Sequence, residues 1–523
     1  HATPDVKING QTLCWKEEVT FLGITFDSKL CWKNHIDKIV DRCKKRLNIM
    51  RAMTGQSWGC SKKTLMLFYR CSIRSVIEYG CEAFDSATSS SKTRLDRLQY
   101  SALKSACGAM TSTSLAALQV ECGELPLDLR RKMLIANFAS KTKTIFDHPC
   151  QDIFVPARGQ AGQKWRYFFH RKVKESEQPA ARRTCVLNEM VDRLQPVEMV
   201  LPTVPPWTLI PPLFDEGLVG LKKDDPSLIP RAMEILNSYR DYTCVYTDAS
   251  KIDDKVAIGY YVSNTRYESS QRVTDNVSIF TAELTAIKLT AIEWMANSER
   301  ETRFALFTDS YSSVQALRYS ANTSKSPLIA ETLTLISNEI CNGKQVTIIW
   351  VPSHVGIHGN EVADRLARGA IRHQNIELVI PPEIDDLKRI IKKEIIKEWQ
   401  NRWNSTAGDH HYRSLEARVS GGFKFETSNR KKEVLISRLR LGKCGLNHYL
   451  HVMGLHDTGL CENCGTKETI EHWLLNCRKT SQLRARIKRS QKTKNPATLG
   501  FILNSPQCQD LIFQWAEENQ LRL

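Results

Sequence analysis

Val245-Tyr-Thr-Asp248-Ala-Ser250, Thr281-Ala-Glu283-Leu284, Phe307-Thr-Asp309-Ser310 and Asn360-Glu-Val-Ala-Asp364-Arg-Leu-Ala367 are four motifs spaced along the chain, each built on an acidic residue. Ahead of the last runs Trp350-Val-Pro-Ser-His354-Val-Gly356-Ile-His358-Gly359. The residues around the acids set their local structure. Residues 242–246 are short, β-branched and aromatic, which predicts a strand ending at Asp248. Residues 256–262 and 346–351 carry the same signature, and 304–307 is another apolar run, ending at Asp309. Leu284, Ile287, Ala291 and Met295 recur at helical spacing, so Glu283 sits near a helix start; Asp364 lies in a segment of helical composition. Two carboxylates thus end strands and two begin or ride helices. Carboxylates that converge in a fold repel one another. A pair of hard divalent cations with oxygen ligands is the natural compensation.

The order of these motifs, with the His-Gly loop before the last, resembles the ribonuclease H type 1 family over roughly 242–372, about a quarter of the chain. The resemblance implies an α/β fold, a mixed five-stranded sheet with flanking helices. It implies that Asp248, Glu283, Asp309 and Asp364 are the metal-binding carboxylates, and that His354 is the mobile-loop histidine that assists product release or proton transfer. The implied reaction is hydrolysis of the RNA strand of an RNA–DNA hybrid, with two Mg2+ ions about 4 Å apart at the scissile phosphate. Asp248 would bridge the ions, Glu283 and Asp309 completing one site and Asp364 the other. An all-oxygen site suits Mg2+, with Mn2+ as a substitute. Thr281 and Ser310, beside the carboxylates, are candidates to contact the hybrid backbone, although capping and strand-end hydroxyls look the same in sequence. The RNA strand's 2′-hydroxyl would distinguish it from DNA.

With 74 basic residues against 57 acidic, the chain carries a formal net charge of +17. A basic chain holding an acidic cluster fits a nucleic-acid enzyme, in which Lys and Arg hold phosphates and carboxylates hold metal. The 17 cysteines are scattered and odd in number, better read as reduced thiols, some of them metal-bound, than as a disulfide framework. No run of about 18 apolar residues is present, so no membrane partner is expected. The first residue is His1 and no targeting segment opens the chain, which suggests a piece of a longer polyprotein, intracellular in nucleus or cytoplasm.

Residues 1–190 read as mainly helical. Val19-Thr-Phe-Leu-Gly-Ile-Thr-Phe26 is a strand or hairpin arm, followed by Asp27-Ser-Lys-Leu-Cys-Trp32 and a basic amphipathic helix with Ile36, Ile39, Val40, Cys43, Leu47 and Met50 on one stripe. Further helices are expected around 62–79, 92–108, 115–121 and 132–146. This segment resembles the end of a non-LTR retrotransposon reverse transcriptase, where the palm leads into the thumb. That implies a nucleic-acid contact role for Lys44, Lys45 and Arg46, whose other reading is a solvated helix face. No paired-aspartate polymerase motif lies upstream, so no polymerase activity is expected of this chain, although an upstream polymerase is an implied partner. Residues 160–174 interleave aromatics and cations. Pro196, Pro202, Pro205, Pro206, Pro211 and Pro212 mark 191–230 as a semi-rigid linker. The ribonuclease-like domain is then 231–375.

Residues 376–523 read as a basic helical tail holding Cys461-Glu-Asn-Cys464-Gly465, then His472 and Cys477. Three thiolates and an imidazole at this spacing supply the four ligands a tetrahedral zinc ion takes, against the alternative of reduced structural cysteines. The tail resembles the Cys-Cys-His-Cys segment that follows ribonuclease H in insect-type non-LTR elements. Two rival functions remain. A transposase or integrase core usually needs three acids with a different final spacing, and the Ser353-His354-Val-Gly356 loop argues against it. A catalytically silent nucleic-acid-binding remnant of a decayed element would not need all four acids.

Overall fold

The computed structural model describes residues 7–12, 14–145, 148, 150, 208–222, 224–290, 294–319, 326–419, 427, 429–490 and 498–521. The aromatic–basic stretch 160–174 and most of the expected linker lie outside them. Described residues up to 135 join those from 392 onward in one compact unit, and residues 208–391 belong to a second.

The first unit opens with two antiparallel pairs, β1 (Lys7–Ile8) with β2 (Gln11–Thr12) and β3 (Glu18–Phe21) with β4 (Ile24–Asp27). The Lys33–Ala52 helix follows and buries Ile36, Ile39, Val40, Cys43, Leu47 and Met50, the stripe expected from their spacing. Helices Lys62–Phe68, Ser89–Cys107 and Leu115–Cys122 each start on a hydroxyl cap: Ser61, Thr88 and Ser114 accept the N–H of the residue three further on. The tail is built into this unit. Arg430 donates to Ala106 O at 2.6 Å and Ser105 O at 2.8 Å, so a cation from the Arg430–Arg440 helix satisfies carbonyls at the end of Ser89–Cys107. Glu121 is wholly buried and meets Lys62 Nζ at 2.8 Å, Tyr412 Oη at 2.8 Å and Arg440 Nε at 3.2 Å. Burial alone would raise its pKa, but Lys62 and Arg440 outweigh that and hold the carboxyl down at about 2. Removing one member of such a buried group leaves an uncompensated charge.

The second unit is organised by one mixed sheet of order β5-β10-β9-β6-β7-β8: Leu213–Asp215, Gln345–Trp350, Arg303–Thr308, Thr243–Ile252, Lys255–Val262 and Tyr267–Val273. β5, β10, β9 and β6 run parallel; β7 and β8 add antiparallel. Two features differ from the sequence expectation. The sheet has six strands, because the prolines at 211 and 212 precede a short strand that pairs with the edge of β10. Residues 208–230 are thus not a spacer throughout: Leu209, Phe214, Leu218 and Leu228 pack into the two cores flanking the sheet. And β6 runs to Ile252, so Asp248 lies inside the strand, paired with Gly259.

Alternation along the strands divides the core. Val245, Leu306 and Ile348 face Leu284, Ile287, Val314 and Leu333 of helices Ile279–Thr290, Tyr311–Tyr319 and Pro327–Cys341. Tyr246, Phe307 and Ile349 face the other way, toward Leu228, Val362 and Ala363 of helices Leu228–Ser238 and His358–Ala370. The last helix seats directly on the sheet. A Cβ added at Gly259 would lie 2.7 Å from Ala363 O and from Ala367 N. Backbone cannot yield there as a side-chain tip could. Gly259→Ala is therefore expected to lower stability by about 1–3 kcal/mol, read from the urea midpoint of the second unit. An unchanged midpoint would show that the helix tolerates displacement.

Candidate active site

Asp248 in β6, Glu283 in the Ile279–Thr290 helix and Asp309 just past β9 come to one place. One carboxylate oxygen from each lies within 4.8 Å of the others. The register explains part of this: Thr247 pairs with Thr308, so the residues that follow them stand side by side on parallel neighbours. Asp248 and Glu283 are buried, 6% and 5% exposed. Ala249 N–H donates to Asp248 Oδ1 at 2.7 Å and to Glu283 Oε1 at 3.2 Å, tying the helix acid to the strand acid. Asp309 accepts Asn360 Nδ2 at 3.4 Å on Oδ2, and its carbonyl accepts Trp350 Nε1 at 3.1 Å.

Asp364 approaches from the His358–Ala370 helix, within hydrogen-bonding reach of Asp248. Its Oδ1 is 2.8 Å from Arg368 Nε, one turn on, and its Oδ2 is 3.8 Å from His354 Nδ1. His354 is half exposed, sits at φ +57° on the loop before the helix, and has its Nε2 3.4 Å from Arg368 Nη2. Glu361 Oε1 accepts Gly356 N–H at 3.4 Å and joins His354 and Asp364 in a second group of potential ligands. All four acids and the loop histidine read from sequence therefore surround one site. Asn360 and Arg368 were not singled out there. Their signal is helical: each stands four residues from Asp364, so all three share one face.

The hydroxyl candidates divide. Ser310 is half-buried beside Asp309 and shares hydrogen bonds with Ser313 at 2.8 Å and Ser312 at 3.3 Å. Thr281 is buried, its Oγ1 donating to Asp386 Oδ2 at 2.8 Å, so it serves the helix start and not an outer surface. In the first unit, Lys44 and Lys45 are exposed, and Arg46 donates to Ser72 O. Lys44 also lines a cavity of about 460 Å³ with Arg51, Arg94 and Arg97.

The electrostatics of the acidic site carry one sign. Burial first, then Asp309 and Asp364, push Asp248 up to about 8. Burial, then Asp248 and Asp309, push Glu283 up, and burial raises Asp309 against the opposing pull of Asn360. Glu283 Oε2 is buried with no hydrogen-bond partner among the described residues. An orphaned carboxylate oxygen beside two more carboxylates fits a divalent hard cation, which is bound by oxygens and competes with protons for them. In the tail, Cys461, Cys464, His472 and Cys477 also offer ligand atoms within 4.8 Å of one another. Cys477 Sγ is 3.6 Å from Cys461 Sγ and 3.9 Å from Cys464 Sγ, and His472 Nε2 is buried with no partner among the described residues while Nδ1 lies 3.2 Å from Thr466 Oγ1.

A pH dependence follows. Below pH 4 Asp248 is protonated folded and unfolded, and costs nothing. As pH rises from its ordinary value of 3.8 toward about 8, the unfolded chain ionises and the folded site does not, so the site's contribution to stability falls. Without divalent cations, Asp248→Asn is expected to raise the urea midpoint of the second unit at pH 8 and to change it little at pH 4. Mg2+ binding near pH 7 is expected to release protons, read as a buffer-dependent heat in titration calorimetry; heats identical across buffers would contradict this account.

Residues 240–372 match the RNase H family. The chain is 24% identical over 153 residues to the retrovirus-related Pol polyprotein from type-1 retrotransposable element R1 of Bradysia coprophila, a stretch covering 28% of this chain and 15% of that polyprotein. The chain thus spans a small part of that relative's length. Among solved structures, RNase H1 from Halobacterium salinarum aligns at 20% identity over 25% of this chain and 97% of its own, TM-score 0.20. LC11-RNase H1, solved in complex with an RNA/DNA hybrid, aligns at 15% identity over 24% and 98%, TM-score 0.21. Residues 240–372 are a ribonuclease H domain, in a chain related to a retrotransposon Pol polyprotein.

Proposed function

We propose that the chain hydrolyses the RNA strand of RNA–DNA hybrids, with Mg2+ or Mn2+ held by Asp248, Glu283, Asp309 and Asp364. The observation that carries this is the convergence of three carboxylates, two of them buried, with one oxygen of Glu283 unpartnered among the described residues. Bound there, divalent cations would polarise the scissile phosphate and lower the pKa of an attacking water. Asp248 feels the charge of Asp364, and Glu283 that of Asp248, so Asp248 would be the member shared by the two halves of the site. His354, beside Asp364, would assist product release or proton transfer, and Arg368 would trade its carboxylate partner for a phosphate oxygen. Ser310, half-buried beside Asp309, would meet the hybrid backbone. The silent-remnant reading has no observation of its own in the site.

Nucleic-acid contact in the first unit belongs to the groove between Lys33–Ala52 and Ser89–Cys107. Lys44, Arg51, Arg94 and Arg97 bring four cations to one cavity, and phosphates are what such a cluster neutralises. Lys45 is exposed and would add its charge; Arg46, tied to Ser72, holds the helix in place. An upstream polymerase would share the same nucleic acid.

We also propose zinc at Cys461, Cys464, His472 and Cys477. Zn–S bonds of about 2.3 Å at tetrahedral angles put sulfurs roughly 3.8 Å apart, close to the two separations given above. Thr466, on the other imidazole nitrogen, would orient the ring.

The test is cleavage of a labelled RNA–DNA hybrid by the purified chain in Mg2+, with double-stranded RNA and DNA as controls. RNA-strand cleavage of the hybrid only, lost by more than about 100-fold in Asp248→Asn while hybrid binding persists, is the expected result, exceeding what outer-shell partners of a metal site contribute. Binding without cleavage in both Mg2+ and Mn2+ would establish the remnant instead. For the tail, elemental analysis is expected to find about one zinc per chain, and Cys464→Ser to lose it and lower the melting temperature; a metal-free tail of unaltered stability would return these cysteines to a purely structural role.

A further inference from the structure

The Ile279–Thr290 helix, which carries Glu283, has an incomplete start of its own. Ser278 is its cap, with Oγ accepting Thr281 N–H at 3.0 Å. In a reciprocal capping box, a Glu or Gln at the third helical position would reach back to the cap residue's own N–H. Here that position is Thr281, which has no carboxylate. Asp386, 105 residues further along the chain, supplies it. Its Oδ1 accepts Ser278 N–H at 2.8 Å, and its Oδ2 accepts Thr281 Oγ1 at 2.8 Å. Asp386 is 2% exposed, and Arg389 Nη2 steadies it at 2.9 Å. A negative charge at this end also favours the helix dipole.

Asp386 does not stand by itself. The segment that delivers it is stitched to the same unit. Glu377 Oε2 accepts Arg272 N–H at 2.8 Å, Leu378 bridges Val273 beside β8, and Ile380 N–H donates to Thr274 Oγ1 at 2.8 Å. Ile380 packs in one cluster with Ala282 and Ala286, which flank Glu283 on its helix. Glu383 Oε1 accepts Ser326 Oγ at 2.6 Å and Leu328 N–H at 3.1 Å, at the start of the Pro327–Cys341 helix. All of this lies beyond residue 372, where the match to the family ends.

We propose that Asp386 is a positioning residue for Glu283. It completes the cap of the helix that presents this ligand, so 373–391 is a working part of the metal site and not the beginning of a separate tail. The inference rests on the reading of the acidic cluster as a divalent-cation site, and its test separates the two. In the full chain, Mn2+ affinity is measured by titration calorimetry, and hydrogen exchange at the amides of 282–285 is followed in EDTA. Asp386→Ala is expected to weaken Mn2+ binding about tenfold, the scale of second-shell losses. It should also speed exchange at those amides while the amides of β6 and β9 keep their protection. Asp386→Asn should restore both, since its carbonyl still accepts from Ser278 and its amide can donate to Thr281 Oγ1. Faster exchange with unaltered Mn2+ affinity would make Asp386 a structural cap only and overturn the positioning role; unaltered exchange would overturn the proposal outright. If the wild-type chain bound no Mn2+, the metal reading would fall, and the exchange arm would still decide whether Asp386 holds the helix. Should the alanine variant not fold, Thr281→Val carries the same readouts, with Asp386→Asn as the variant that leaves them in place. Thr281→Val, which removes one of the two bonds, should shift both in the same direction by less, and no shift would count against the proposal.

Discussion

Three carboxylates crowded into one largely buried place are the constraint on which the second unit depends. Each is costly there by burial and by its neighbours, which is why Asp248, Glu283 and Asp309 all hold protons more tightly than usual. A fold can impose that arrangement only if the elements bearing the acids are fixed by something stronger than the repulsion. Here it is the sheet and its two apolar faces. Asp248 and Asp309 are set by the parallel register of β6 and β9, and Asp364 by a helix whose backbone touches β7 at Gly259. Glu283 comes from the opposite layer, and the shared donor Ala249 N–H joins it to Asp248. The strain of the site is carried by hydrophobic packing that takes no part in chemistry.

The first unit solves the opposite problem. Glu121 is buried more completely than any of the site acids, yet it is held ionised, because Lys62, Arg440 and Tyr412 surround it. The two cases differ in what the protein supplies. A buried acid given its cations by the chain is a structural joint, here tying early helices to the tail. A buried acid denied them is left to a ligand from outside. His472 belongs to the second class on the same ground: its Nε2 is buried without a partner while three thiols stand around it.

What sequence reveals follows from which of these contacts are local. Helix Lys33–Ala52 was legible in its stripe of apolar residues, and β7, β9 and β10 in their short apolar runs. β8, Tyr-Glu-Ser-Ser-Gln-Arg-Val, escaped notice because it is a polar edge strand with only its last two residues buried. β5 hid behind prolines. Asp248 looked like a strand end because the apolar run stops near it; β6 continues because its pairing with β7 extends past the site. The four acids and His354 were readable because each sits in a distinctive local motif. Thr281 could not be decided between backbone contact and capping for the converse reason: the partner that decides it is 105 residues away. Arg430, Arg438 and Arg440 lie in what reads only as a basic helical tail, and their burial is decided by Ala106, Gly108 and Glu121, far off in the chain.

The end of the ribonuclease H domain differs between sequence pattern and packing. A family match stops where shared sequence pattern stops, at 372. Packing stops later. Between 373 and 391 the chain caps one helix with Asp386, meets the start of another with Glu383, bridges β8 at Leu378 and fills the core under Ala282 with Ile380. None of these residues has a motif, since any acceptor at the right place would cap and any branched aliphatic would fill. Such contacts are specified by position and not by residue pattern, so they are invisible to pattern matching while being as necessary to the placement of Glu283 as the β6 register is to Asp248. The physical domain is the set of residues whose removal would let a carboxylate move.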